Sequence, residues 1–340
     1  MQKMMNITHK DDLDGLGCNI VAGLYTLGLQ IGMDTMELGY KDVDEKICEF
    51  INSGKYKEYS HITIMDLGIK LETAELIENT RMEIPEIEWQ LIDHHISNYF
   101  LNKYDWARVT EMDDNGALIS ATKLAYCEWE EVISKEFDIR NVVTEFANNI
   151  SDYDTYTWKE KGNQNAKDMH DLLCLLGREE FRKRMVNNLI DSISNGSLIL
   201  FTNEEKFVIE INKKKIKNYI EKKMKYLNFI KIKLNDDRVL NVAVTIIDEK
   251  EYISELGNYI CETIPDKADV AMMICPASQD VSMRCVREDI NLGEDIAKLL
   301  GGGGHAKAAG FPIIGIRGNI IYGRIVDDFI NVGLYTHDIM

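Results

Sequence analysis

The chain has 340 residues, of which 45% are apolar and 28% charged, and a formal net charge of −18. That length fits two domains better than one, because single hydrophobic cores seldom grow past about 250–300 residues. The acidic balance excludes a broad duplex-DNA clamp, which needs a basic face, but allows a small anionic ligand held in one pocket through metal ions.

No run of about 18 apolar residues predicts a membrane span, and Met1–Asn6 enters strand-like sequence without the apolar core of a signal peptide. The cysteines Cys18, Cys48, Cys127, Cys174, Cys261, Cys275 and Cys285 are scattered, with no CxxC pair, and read as reduced thiols of a cytoplasmic protein.

In chain order, Met4 to Thr8 alternates apolar and polar residues and predicts a strand. It ends at His9-Lys10-Asp11-Asp12-Leu13-Asp14-Gly15, after which Leu16 to Leu29 predicts a helix. Strand, polar loop and helix place these side chains at the carboxyl end of a strand, where open α/β sheets carry their sites. Thr35 to Tyr40 predicts a second strand and Asp42 to Ser53 a helix. The apolar run of His61 to Met65 ends in Asp66-Leu67-Gly68, helical sequence spans Leu71 to Asn79, and Glu88 to Ile92 ends in Asp93-His94-His95. One strand end carrying a carboxylate or imidazole is common; recurrence at three is not decorative.

Asn115 to Tyr126 and Val142 to Asn149 predict helices, the second leading into loop-like Ile150-Ser151-Asp152-Tyr153-Asp154-Thr155-Tyr156. Beyond the polar stretch Gly162 to Asp168 the chain is mostly helical through Leu198. Glu204 to Tyr226, with Lys213-Lys214-Lys215 and Lys222-Lys223, predicts a connecting helix whose lysines form a solvated face. Asn241 to Ile247, Asp269 to Cys275 and Val281 to Val286 then predict strands, Ile253 to Thr263 and Leu292 to Leu300 helices, and Phe311 to Ile316 a further strand. The expected architecture is α/β with two domains: a mainly parallel-sheet N-terminal domain over 1–200, a helical linker over 201–235 and a smaller C-terminal α/β domain over 236–340.

In the last of these, Gly301-Gly302-Gly303-Gly304-His305 follows a helix-like segment. Glycine permits positive φ and close approach of backbone to a ligand, and successive exposed N–H groups form an anion-binding concavity. A flexible turn is the plainer account, but turns seldom need four glycines.

The first module offers His9, Asp12, Asp14, Asp66, Asp93, His94, His95, Asp152 and Asp154. Carboxylates and imidazoles without cysteine suit Mn²⁺ or Mg²⁺, with Fe²⁺ or Co²⁺ as alternatives. Each residue has a plainer role: Asp12 and Asp14 as helix N-caps, Asp66 as a turn residue, the histidines on the surface, Asp152 and Asp154 in a loop. One metal site accounts for all of them together.

These motifs together resemble the DHH phosphoesterase superfamily. The segment His9 to Gly15 resembles its first motif, Asp66-Leu67-Gly68 its second, and Asp93-His94-His95 is the triplet that names it. Val281-Ser282-Met283-Arg284-Cys285 and Gly302-Gly303-Gly304-His305 with Ala308-Ala309-Gly310 resemble the DHH-associated domain, so the resemblance covers nearly the whole chain. It implies two divalent ions, Mn²⁺ first, with Mg²⁺ or Co²⁺ as alternatives. His9, Asp12 and Asp66 would hold one ion, and Asp14, Asp66, His94 and Asp152 the other. Asp11 competes with Asp12 and Asp154 with Asp152. Asp66 and His95 would be catalytic, and Arg284, Gly302, Gly303, Gly304 and His305 would bind substrate.

The Asp152–Trp158 segment looks most like the oligoribonuclease branch, and its Tyr153, Tyr156 or Trp158 would stack on a base or pack between domains. The implied activity is hydrolysis of short oligoribonucleotides (nanoRNA) to mononucleotides by water attack on phosphorus. The alternatives are a cyclic-dinucleotide phosphodiesterase, a 3′-phosphoadenosine 5′-phosphate phosphatase or, in another class, a non-catalytic nucleotide sensor. The implied partner is short single-stranded RNA or a dinucleotide, with neither membrane nor long duplex; a homodimer is compatible with this.

Overall fold

The computed structural model describes residues 2–136, 140–248 and 250–313. The chain divides into two compact units between Ile209 and Glu210.

Unit 1 begins with β1 (Lys3–His9), α1 (Leu13–Leu29), β2 (Gly32–Leu38), α2 (Val43–Asn52), β3 (His61–Met65), α3 (Leu71–Glu83), β4 (Glu88–Asp93) and β5 (Ala107–Val109). The five strands are parallel, in the order β2-β1-β3-β4-β5. Both faces of the inner strands are covered, and their apolar side chains point alternately to one face and the other. Met5, Ile7, Ile62, Ile64, Trp89 and Leu91 pack with Ile47 and Phe50 of α2 and Ile77 of α3. Met4, Met65 and Ile92 face the other way, against Cys18 and Val21 of α1. Because β2 and β3 flank β1 on opposite sides, the strand order reverses between β1 and β3, and the crevice beyond their carboxyl ends is the ordinary ligand position of such sheets.

Helices complete the unit: α4 (Ala121–Glu136), α5 (Arg140–Asp154), α6 (Trp158–Lys161), α7 (Gln164–Leu176), α8 (Arg178–Asn195) and the start of α9 (Asn203–Met224). The expected helix from Asn115 starts instead at Ala121. Asp113 Oδ1 accepts from the N–H groups of Asn115 and Ala117, and Gly116 takes φ 78°, which makes this stretch a turn. The other difference matters more for the site: α5 does not stop at Asn149 but runs through Asp152 to Asp154.

Unit 2 holds β6 (Asn228–Lys233), β7 (Val239–Ile246), α10 (Ile253–Thr263), β8 (Val270–Cys275), β9 (Asp280–Arg284), β10 (Gly303–Gly304) and β11 (Ala308–Pro312). They form one mixed sheet in the order β10-β11-β9-β8-β7-β6, in which β7 and β8 pair in parallel around α10 and the remaining pairs are antiparallel. Strand β6 lies in the stretch read as helical linker. Its Ile230 and Ile232 are buried while Asn228, Phe229 and Lys231 are exposed, the alternation of a strand at a sheet edge. Instead of a regular helix, Gly293–Ala297 forms a π turn and Lys298–Leu300 a 3-10 turn. The expected strand from Phe311 is covered by β11 as far as Pro312; residues 314–316 lie outside the described residues.

Candidate metal centre

Three strand ends of unit 1 deliver the cluster. At the end of β1, His9 Nδ1 lies 2.6 Å from Asp12 Oδ2 and 3.6 Å from Asp66 Oδ2. Asp12 is also the N-cap of α1, its Oδ1 accepting from Gly15 N at 2.9 Å. Capping and participation in the cluster are therefore compatible, because the two oxygens divide the roles. Gly15 is required here, since a Cβ would collide with the His9 carbonyl oxygen. Asp11 is 66% exposed, with its Oδ2 3.7 Å from His9 Nε2, whereas Asp12 is the aspartate that groups with His9 and Asp66.

Asp14 is fully buried at the start of α1 and accepts from the first two N–H groups of α4, Ala121 at 2.8 Å and Thr122 at 2.9 Å. A carboxylate at a helix N-terminus answers unpaired donors and the positive end of the helix dipole. Here it also pins the beginning of α1 to that of α4.

Asp66 stands at the middle. Its backbone takes φ 57°, a left-handed conformation unusual for a residue other than glycine. The strain, of order 1–3 kcal/mol, is held by the Asp66 N–H bond to Ile92 O at 3.0 Å. In that pose Oδ2 faces His9 and Oδ1 lies 3.6 Å from His94 Nε2. Burial, then the Asp14 charge, push its pKa up to about 7.

At the end of β4, Asp93 does not face the middle of the cluster. Its Oδ1 accepts from His94 N and His95 Nδ1, each at 2.8 Å, and its Oδ2 from Asn98 Nδ2 at 2.6 Å. Burial would raise the Asp93 carboxyl, but the bond to His95 and its charge hold it below the usual range. That same bond raises His95. With Nδ1 taken, His95 presents Nε2 beside Tyr40 Oη at 3.4 Å. Tyr40 is half exposed, two residues beyond β2, and its ring packs on His9 with centroids 4.5 Å apart. Sequence reading missed Tyr40; its place just past a strand's carboxyl end next to the switch point was the available signal.

The expected ligand Asp152 is elsewhere. Residues two apart on a helix point roughly 200° from each other, so α5 can send only one of Asp152 and Asp154 to the cluster. Asp152 is tied to Lys161 Nζ at 2.5 Å and Asn163 Nδ2 at 2.8 Å. Asp154 takes the place, its Oδ2 lying 3.3 Å from His94 Nε2. Asp154 follows Ile150 by four residues and Asp152 follows Asn148 by four; Asp152 is buried and Asp154 partly so, and helical phase, not burial, separates them. That phase was the signal, once 150–154 is read as helix.

The donors therefore fall into three overlapping groups whose ligand atoms lie within 4.8 Å of one another: His9, Asp12 and Asp66; Asp14, His94 and Asp154; and Asp66, Asp93, His94 and His95. Among the described residues, Asp66 Oδ2 and Asp154 Oδ2 are buried and accept no hydrogen bond. An unanswered buried carboxylate oxygen is costly unless a proton or cation meets it. Burial and the neighbouring Asp14 charge raise Asp154 as they raise Asp66. Burial opposes the charge on His9 and His94, but the surrounding carboxylates override it and raise both. Oxygen and imidazole donors, crowded like charge and orphaned oxygens fit divalent cations.

In unit 2, β11 brings the expected substrate residues onto adjoining strands: Ala308 pairs with Arg284 and Gly303 with Gly310. Arg284 Nη2 donates to Ser254 Oγ at 2.9 Å, and exposed His305 donates its N–H to Ala308 O at 2.8 Å. Most of the glycine run has an internal reason. Gly301 caps the preceding turn at φ 73°, Gly304 takes φ 138°, and Gly302 abuts Gly310 and Phe311. A Cβ would meet nothing within 4 Å at Gly301 and Gly303, and of these two only Gly303 lacks a positive φ.

Compared with known proteins, the chain is 30% identical over 315 residues to the oligoribonuclease NrnB of Bacillus subtilis, an alignment covering 91% of this chain and 73% of the relative. The chain belongs to the DHH phosphoesterase superfamily, in the branch of that relative. It is an enzyme of the phosphoester hydrolase class. No protein-family model matches the chain. Among solved structures, CDC45 from Entamoeba histolytica shares the fold with a TM-score of 0.50 at 6% identity, over 97% of this chain and 95% of that one. Exonuclease RecJ bound to manganese aligns with a TM-score of 0.49 at 10% identity, over 97% and 90% of the two chains. Among the described residues, no helix is long and apolar enough to cross a membrane.

Proposed function

We propose that this enzyme is a phosphodiesterase using two divalent cations, Mn²⁺ first among them, to hydrolyse short oligoribonucleotides to mononucleotides. The reading is carried by Asp66, whose two carboxylate oxygens face the two histidine-bearing halves of the cluster, His9 on one side and His94 on the other. His9, Asp12 and Asp66 would hold one cation, and Asp14, His94 and Asp154 with Asp66 the other. Divalent cations bound there would supply neutralisation of phosphoryl charge and a more acidic water as nucleophile toward phosphorus.

The protein's own groups do the rest. Asp93 holds His95 by Nδ1 and raises its pKa, so that Nε2–H is available as a charged donor to a phosphoryl oxygen. Asn98 fixes Asp93 from the other side. In unit 2, Arg284, Gly303 and His305 bind the end of the substrate, the guanidinium suiting a phosphate and the bare Gly303 admitting close approach. The resemblance to an oligoribonuclease supports RNA of a few nucleotides as the substrate class.

The test is a substrate panel at one Mn²⁺ concentration: linear diribonucleotide, longer oligoribonucleotides, cyclic dinucleotide and 3′-phosphoadenosine 5′-phosphate, with products identified. Fastest turnover of the shortest linear substrates is expected. Faster turnover of the cyclic dinucleotide or the bisphosphate would overturn the assignment, and absence of any turnover would favour a nucleotide sensor.

A further inference from the structure

The loop carrying His9 and Asp12 is held by a residue far along the chain. Arg178, the first residue of α8, donates from Nη2 to the His9 carbonyl oxygen at 3.0 Å and from Nη1 to the Asp12 carbonyl oxygen at 3.1 Å. Its Nε donates to Glu37 Oε1 on β2 at 3.0 Å, and Asn19 of α1 donates to the same oxygen at 3.3 Å. The Arg178 side chain is 17% exposed and that of Glu37 28%. A planar guanidinium has five donors in a rigid fork, so two carbonyls and one carboxylate fix its plane, and the plane then fixes the separation of the carbonyls.

We infer that Arg178 is a positioning residue for one of the two cations proposed above: it sets the backbone from which His9 and Asp12 reach Asp66. The inference rests on the two-cation reading. Arg178 bonds to none of Asp14, His94 and Asp154, whose carriers are α1, the end of β4 and α5. Asp14, two residues beyond Asp12, is held independently by the Ala121 and Thr122 N–H groups, so loss of Arg178 is felt chiefly at the cation of His9 and Asp12. A residue serving general stability alone would not divide the two.

The experiment is Mn²⁺ titration of the full chain without substrate, by calorimetry and by the spin resonance of free Mn²⁺, on wild type, Arg178→Gln, Arg178→Lys and Glu37→Gln. Wild type is expected to bind two ions. Arg178→Gln is expected to weaken one of them about 10–100-fold, the ordinary cost of removing an outer support of a metal ligand, and to leave the other within about twofold. Arg178→Lys keeps the charge without the fork and should not restore the lost affinity. Glu37→Gln removes only the anchor of the guanidinium and should weaken the same ion by a smaller factor; it decides the matter if Arg178→Gln does not fold. Equal weakening of both ions, or wild-type affinity at both in a folded variant, overturns the inference. A wild type that binds no divalent ion instead overturns the reading beneath it.

Discussion

Asp154 Oδ2 lies 3.3 Å from His94 Nε2, while Asp152, two residues earlier on the same helix, is turned toward Lys161 and Asn163. The cluster is thus closed by the last residue of α5. Asp154→Ala should remove one bound cation and reduce turnover by roughly 10²–10⁴, comparable to losing a catalytic electrostatic group. Asp152→Ala should leave turnover within about threefold but destabilise the protein by about 1–3 kcal/mol, since Asn163 and Lys161 lose their acceptor. Metal content and urea denaturation of the two variants check this, and the opposite pattern would restore Asp152 as the ligand.

The cluster also makes stability depend on pH with a definite sign. Asp66 is raised to about 7 and Asp154 is raised as well, so the metal-free native state keeps protons that the unfolded chain has lost above about pH 4. Their contribution is present at low pH and lost as pH rises through the native pKa. His9 and His94 are raised to about 10, and their contribution is fully present below about pH 6.5 and lost as pH rises from there to about 10. A divalent cation needs these groups deprotonated and displaces the protons. The difference in melting temperature between Mn²⁺ and chelator should therefore widen from about pH 5.5 to 8.5. Calorimetry in buffers of different ionisation enthalpy should register proton release, and a pH-independent difference would contradict the account.

Asp93 acts through His95. Asp93→Asn replaces a charged acceptor by a neutral one and removes the main cause of the raised His95 pKa. The high-pH limb of the rate profile should move to lower pH and kcat fall about 10-fold or more, general acid–base and donor roles being worth about 10²–10⁴. Both Mn²⁺ ions should remain bound. Loss of an ion in this variant would make Asp93 a ligand instead.

Within the glycine run, Gly303→Ala and Gly304→Ala should separate binding from folding. A Cβ at Gly303 enters open space, so stability should change by less than about 0.5 kcal/mol, while KM for a dinucleotide rises several-fold. Gly304 holds φ 138° against Ala308 and Ala309, and alanine there should destabilise by more than about 1 kcal/mol. Thermal unfolding with Michaelis kinetics reads both effects, and an unchanged KM in Gly303→Ala would remove this loop from substrate recognition.

The strand ends are legible in local composition. The alternating Met4–Thr8 and the more apolar His61–Met65 and Glu88–Ile92 each end in a polar residue, which places His9, Asp66 and Asp93-His94-His95 at strand carboxyl ends, where an open α/β sheet carries its site. The motif from His9 to Gly15 was legible as well, since capping and close helix packing are local matters. Which side chains converge depends on packing between remote segments. Asp154, and not Asp152, lies beside His94 because α5 continues past Asn149. Arg178 meets His9 across 169 positions and Tyr40 meets His95 across 55. The four glycines, which as a sequence looked like a single anion grip, split into internal constraints and one bare position once β10, β11 and β9 were paired. Periodicity reports what each segment buries, whereas distances between remote residues depend on how buried faces stack, and no local pattern carries that information.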